Sequence, residues 1–201
     1  MALYWSAPHF TVIPDKLYSD ADKEQYLLPL KVPSTFPEKY LADAIPSIHS
    51  KLIYTIPSDL QELLTQSFVR NVSISHSFTS IIKEFSKQAS RGKELFLNVR
   101  DYWLQLFFFD NKELIFVNQF PFQSEKDFLY YVLLAYDQFK LDPKEVPLKV
   151  TGMLSEDSAI FQQIDRYIKE VSFVGLPTAF SADLDLKEFP DHLFFDILHA
   201  A

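Results

Sequence analysis

The sequence predicts an α/β protein built from two related halves. Three observations point there. Residues 94–118 read as three consecutive antiparallel strands joined by short turns. A helix, a strand, a helix and a strand follow in that order. A strand, a serine-capped helix and a second strand then occur twice, beginning at Leu52 and at Leu148.

The meander is the centre of the second half. Leu95 to Val99 forms its first strand, and Arg100-Asp101 is a turn candidate without the usual glycine. The second strand, from Tyr102, ends almost wholly apolar in Phe107, Phe108 and Phe109. Asp110-Asn111 is the better turn, because both side chains support Asx-turn or left-handed geometry. The third strand runs from Glu113 to Asn118. Aromatic and β-branched residues suit a pleated, packed surface, and a strand apolar on both faces calls for cover on both.

Composition bounds the function. The chain has 201 residues, no cysteine, three glycines, 20 phenylalanines and a net charge of −8. Lack of cysteine excludes disulfides and thiolate metal sites. The acidic balance argues against nucleic acid, which is held by Lys and Arg at phosphates, and against anionic membrane surfaces. The start is not a signal peptide, and no apolar run is long enough to span a bilayer. The expected compartment is the cytoplasm. The aromatic excess predicts a large core and an aromatic patch that a partner covers.

In chain order, residues 2–6 and 10–13 read as short strands, and 15–28 as a short helix. Residues 29–47 hold Pro29, Pro33, Pro37 and Pro46, which excludes a long helix; a helical turn fits at 38–44. Residues 51–56 read as a strand. Ser58 with Gln61 opens a capping-box helix whose Leu60, Leu63 and Leu64 share a face. Val69–Ser75 is the next strand, and Ser77 opens a helix with Phe78, Ile81, Ile82 and Phe85 at helical spacing. The linker 90–93 is the expected boundary, giving domains 1–90 and 91–201. Ser124 and Asp127 make another capping box, with Phe128, Tyr131, Val132, Ala135 and Phe139 along one stripe. Residues 146–151 form a strand, Ser155 or Asp157 caps a helix reaching Ile168, and 171–174 form the last strand. Residues 175–191 read as loop, and 192–198 as a strand or helix. Each strand–helix–strand unit is expected to be a parallel crossover.

That order resembles the ribonuclease H-like unit, and two in tandem resemble the actin-like ATPase fold. The first half lacks an opening hairpin. Phe10-Thr-Val-Ile-Pro, Leu52-Ile-Tyr-Thr-Ile-Pro, Ile74-Ser-His, Asp127-Phe-Leu-Tyr-Tyr-Val-Leu-Leu, Arg166-Tyr-Ile and Val171-Ser-Phe are similar to the bacterial family called domain of unknown function 3822. This family resembles degenerate relatives of the PilM-like pilus-assembly proteins. Its members are usually longer at the amino end.

The resemblance implies where a phosphate would sit. Actin-like ATPases carry Asp-x-Gly in the opening hairpin of each half. The matching place here is Asn98-Val99-Arg100-Asp101, followed by Tyr102 and Trp103. The late Gly-Gly that supports adenosine matches Thr151-Gly152. Amides need glycine to approach a phosphate closely, so Arg100 and the two rings should block it. If any nucleotide cleft exists between the halves, it uses Asn98, Arg100, Asp101, Thr151 and Gly152. Tyr102 and Trp103 are the interface candidates.

Other chemistry has a structural reading at each position. Asp101, Asp110, Asp127, Glu156 and Asp157 are the acids for a two-metal nuclease, yet all fit turns, a capping box or a helix start. The histidines His9, His49, His76, His192 and His199 show no metal spacing. His76 is the best lone base candidate, beside Ser75 and Ser77, but a helix cap explains it, and no glycine elbow supports a serine nucleophile. Tyr102 and Trp103 beside Arg100 could stack a base, a reading the acidic charge disfavours. The expectation is a non-catalytic actin-like module in protein–protein assembly or self-association, with no catalytic residues, no metal and no cofactor. The alternatives are a nucleotide-binding or hydrolytic enzyme and a ribonuclease H-like metal nuclease.

Overall fold

A computed structural model of the chain describes residues 2–30, 37–67, 72–175 and 190–195. The chain divides between Lys87 and Gln88 into two compact units.

The second unit holds one five-stranded sheet in the order β10-β9-β6-β7-β8. Its strands are β6 (Lys93–Arg100), β7 (Trp103–Asp110), β8 (Glu113–Pro121), β9 (Leu148–Gly152) and β10 (Val171–Phe173). β6, β7 and β8 pair antiparallel, while β9 lies parallel to both β6 and β10. The predicted crossover from β9 to β10 is therefore present, with α5 (Ala159–Asp165) between them.

Both faces of the central strands are buried. Leu95, Leu97, Leu104, Leu106 and Phe108 share a core with Phe128 and Val132 of α4 (Glu125–Gln138) and Ile164 of α5. Phe96, Phe107 and Phe109 point the other way by strand alternation and are buried too. The capping box of α4 is complete: Ser124 Oγ accepts the Asp127 amide at 3.2 Å, and Asp127 Oδ2 accepts the Ser124 amide at 3.0 Å. The Gln123 amide, which donates to Asp127 Oδ2 at 3.1 Å, and then the Ser124 bonds hold the Asp127 carboxyl below its ordinary pKa.

The turns are shifted by one residue from the expectation. Arg100 pairs with Trp103, so the first loop is Asp101-Tyr102, with Asp101 left-handed at φ 47°. Asp110 pairs with Glu113, so the second is Asn111-Lys112, at φ 51° and 72°. Two left-handed central residues match the right-handed twist of the flanking strands. The cap of α5 also moves, to Ser158, whose Oγ accepts the Phe161 amide.

The first unit is less regular. β2 (Phe10–Pro14), β4 (Ser50–Pro57) and β3 (Glu38–Ile45) form an antiparallel sheet in that order. β1 (Ala2–Trp5) pairs parallel with β5 (Ser73–His76) as a separate two-stranded sheet. The helical turn expected at 38–44 is instead strand β3, because eight consecutive positions pair with β4. The crossover expected from β4 to β5 does not form a pair: β2 and β3 already occupy both edges of β4. The helix expected over 15–28 is broken into 3₁₀ turns and a short α1 (Lys23–Leu27).

α2 (Ser58–Ser67) begins at Ser58 itself; it buries Leu64 but leaves Leu63 exposed. α3 (Ser77–Gln88) buries Phe78, Ile81, Ile82 and Phe85, as its spacing predicts. The expected strand start at 69–71, the loop 176–189 and the end 196–198 lie outside the described residues.

Candidate functional site

In an open sheet with parallel strands, ligands sit beyond the carboxyl ends of the strands, where the connections turn opposite ways. In the second unit that place is the paired ends of β6 and β9. β6 continues by a hairpin to β7 on one side, and β9 through α5 to β10 on the other. Four of the five cleft candidates meet at these two ends: Asn98 pairs with Thr151, Val99 with Gly152, and Arg100 closes β6.

The Asn98 amide nitrogen and the Thr151 hydroxyl are engaged within the unit, while Asn98 Oδ1 is buried without a hydrogen-bond partner among the described residues. Asn98 is fully buried, and its Nδ2 donates to Gln105 Oε1 of β7 at 2.8 Å. Thr151 is fully buried, and its Oγ1 donates to the His192 carbonyl at 3.0 Å. Asp101 stands apart as an exposed residue of the hairpin turn.

Gly152 has its own reason to be glycine. Its φ is +85°, and a Cβ there would stand 2.2 Å from the Val99 carbonyl oxygen and 2.5 Å from Asn98 Oδ1. The bare Cα admits the backbone of β6. The Met153 amide then donates to that same Val99 carbonyl at 2.7 Å. What approaches the glycine is protein.

Beyond Thr151, the 3₁₀ turn Asp191–Phe194 lies over the ends of β9 and β10. His192 Nε2 stands 2.8 Å from the Leu154 carbonyl, and its ring centroid is 4.1 Å from that of Phe173. His192 is thus placed by the fold as a packed residue. The sequence places it at the start of a terminal strand or helix without a role, because nothing local links residue 192 to residue 151.

The interface candidates are exposed. Tyr102 is 74% and Trp103 40% accessible. Met153, just past β9, is also exposed. All three sit at the end of the sheet where β6 finishes and β7 begins.

His76 is the helix cap that its sequence context suggests. Nδ1 accepts the Phe78 amide at 3.1 Å, and Nε2 stands 3.2 Å from both the Ala7 amide and the Ala7 carbonyl. Phe10, Tyr54 and Phe78 ring it at 5.1–5.2 Å between centroids. Burial lowers its pKa to about 4. Asp43 Oδ2 accepts the His76 amide at 2.6 Å and the Thr79 hydroxyl at 2.7 Å, which fixes the start of α3.

The first unit carries a polar cleft that sequence reading missed. It measures about 870 Å³ and is lined in part by Asp20, Lys23, Glu24, Glu38, Tyr40 and Glu62. Asp20 pairs with Lys23 at 2.7 Å, and Tyr40 donates to Glu24 at 3.1 Å. These acids come from separate elements, so no spacing announces them. Among the described residues no cluster of His, Asp or Glu could hold a metal ion. Of the nuclease acids, Asp101 lies in the first hairpin turn, Asp110 flanks the second, Asp127 belongs to the α4 capping box, and Asp157 accepts the Ser155 hydroxyl. No described helix is long and apolar enough to cross a membrane.

A family model described as "Protein of unknown function (DUF3822)" matches residues 2–171. No curated protein matches. A crystal structure from Bacteroides thetaiotaomicron, described as a protein with actin-like ATPase fold and unknown function, matches at TM-score 0.78 and 19% identity. That match covers 86% of this chain and 67% of the other. A PilM–PilN type IV pilus biogenesis complex matches at TM-score 0.48 and 10% identity, over 96% and 76%. An AlfA filament bound to AMPPNP matches at 0.40 and 14%, over 68% and 52%. The Bacteroides match shows that this chain has the actin-like ATPase fold.

Proposed function

The chain belongs to the DUF3822 family, and from that premise we propose that it is a non-catalytic actin-like module that acts in protein–protein assembly, in the cytoplasm. The reading rests on the ends of β6 and β9. The Asn98 amide is bonded to Gln105 and the Thr151 hydroxyl to the His192 carbonyl, both out of solvent. A phosphate there would have to break both bonds and displace buried protein. It would also find Arg100, Tyr102 and Trp103 where a close backbone approach needs glycine. The partner is a protein or a second copy, received on the Tyr102, Trp103 and Met153 surface.

Thermal unfolding with and without millimolar Mg-ATP tests the first part. A ligand at 100 times its dissociation constant adds about 2.7 kcal/mol, roughly 5–10 °C at this length. The expected midpoint is unchanged; a rise of that size overturns the non-catalytic reading.

A further inference from the structure

Building on the assembly reading above, we propose that the carboxyl end of β6 and β9 docks a basic segment of a partner protein, one that sets Lys or Arg beside apolar side chains. Arg100 pairs across the first hairpin with Trp103, and Trp103 pairs in turn with Pro121 of β8. Directly opposed residues of antiparallel strands share a face, so these three form one row. Tyr102 stands in the turn beside it. The Met153 amide bonds the Val99 carbonyl at 2.7 Å, which brings Met153 alongside the end of β6. Tyr102, Trp103 and Met153 are exposed, and Arg100 is half-buried. Tyr, Trp, Met and Arg are the types enriched at the centres of protein interfaces, where Lys and Glu are scarce.

The charge at this end selects the partner. Asp101 precedes Tyr102, and Glu156 and Asp157 follow Met153 within about 14 Å of chain. Asp191 opens the 3₁₀ turn over the end of β9. All four are exposed, and none has a cationic partner among the described residues. Glu125 and Asp127 at the start of α4 carry the same sign, against Lys126 and Arg100. At the opposite end of the sheet Lys93, Lys112, Lys144 and Lys169 stand among the acids, so the bias is particular to the carboxyl end. Aromatic faces attract Lys and Arg, and acids around them draw the same cations. A second copy is disfavoured, because a two-fold contact sets a patch against itself and would bring these acids together.

The test titrates the full chain with the peptide Lys-Leu-Lys-Trp-Lys-Leu-Lys and with its counterpart Glu-Leu-Glu-Trp-Glu-Leu-Glu, following amide resonances by NMR. The basic peptide is expected to shift Tyr102, Trp103, Met153 and Glu156, and the acidic one none of them. Added salt should weaken the basic complex. Glu156→Gln with Asp157→Asn should weaken it roughly fivefold, while Glu113→Gln with Glu145→Gln at the opposite end leaves it unchanged. Tyr102→Ser with Trp103→Ser should weaken it at least about tenfold. All six substituted side chains are exposed, so the fold is retained. Equal responses to the two peptides, equal losses in the two charge-neutralised variants, shifts confined to other residues, or no binding at millimolar peptide would each overturn the basic partner. Self-association that survives high salt and disappears with the two serines would give the surface to a second copy instead. A negative peptide result with no Mg-ATP shift removes the basic partner alone, whereas an Mg-ATP shift removes the reading beneath it.

Discussion

His76 takes the Phe78 amide on Nδ1 at 3.1 Å, closing the first turn of α3 with a ring that is itself buried. The cap works only while the ring is neutral, because a charged imidazole has no lone pair to accept with. Burial lowers the His76 pKa from 6.5 to about 4. The unfolded chain therefore takes the proton first as pH falls. Stability is full above pH 6.5, is lost between about 6.5 and 4, and is flat below that. The shift corresponds to about 3 kcal/mol at most. Urea midpoints at pH 7 and pH 4.5 check it, with His76→Gln as the control that removes this part of the dependence. The depressed carboxyls Glu94 and Asp127 lose their contributions in a lower window, below about 4.5.

Gly152→Ala is expected to be severe. A left-handed conformation alone costs a non-glycine residue roughly 1–2 kcal/mol. Here the new methyl also meets the Val99 carbonyl at 2.2 Å, and a β6 backbone atom cannot move aside as a side chain could. Guanidinium unfolding should show a loss beyond about 2 kcal/mol. A loss under half that size would mean β6 is free to shift.

Lys112→Gly is expected to stabilise. Lys112 sits at φ 72° in the second position of the β7–β8 turn, where glycine is preferred. Relief of left-handed strain should raise stability by about 0.5–1 kcal/mol, read as a rise in thermal midpoint.

Ser124→Ala removes half of the α4 capping box. The expected loss is about 1 kcal/mol. Asp127→Asn should lose less, because an amide oxygen still accepts the Gln123 and Ser124 amides that Asp127 now receives. Equal losses in the two variants would show that the carboxylate charge at the helix start matters more than the geometry.

Tyr102→Ser with Trp103→Ser should leave the unfolding midpoint within a degree or two while weakening association. Both rings are exposed, and exposed substitutions away from caps and cores usually change stability by less than about 0.5 kcal/mol. Sedimentation velocity over a concentration series, or capture of a defined partner, reads the loss. Unchanged association would take the docking surface away from this end of the sheet.

The second half was legible because its signals are local. Three apolar strands separated by two-residue turns dictate a meander, and Ser124 with Asp127 announces α4 within one helical turn. The first half was less so. Pro37 and Pro46 flank β3, and the prolines suggest excursion; the strand exists because β4 offers eight pairing positions, a fact held elsewhere in the chain. The β4–α2–β5 pattern looked like β9–α5–β10, but sequence does not say that both edges of β4 are taken. At the candidate site, Asn98, Thr151 and Gly152 could be located by motif position. Their bonding to Gln105 and His192 could not, since it depends on which strands become neighbours.

The parallel pairing of β1 with β5 has a consequence for how the chain acquires its structure. Ser6 must find Ser77, 71 positions away, while Asn98 finds Gln105 only seven positions on. Closing the longer loop costs more chain entropy, and distant pairing slows folding. The β6–β7–β8 meander therefore forms on its own schedule, whereas β1 waits for residues 73–76 to emerge from synthesis. Until then Ala2–Trp5 has an unpaired edge, the form of strand most prone to join a neighbouring chain. Nascent chains of this protein are thus most vulnerable to misassembly early, before the first unit is complete.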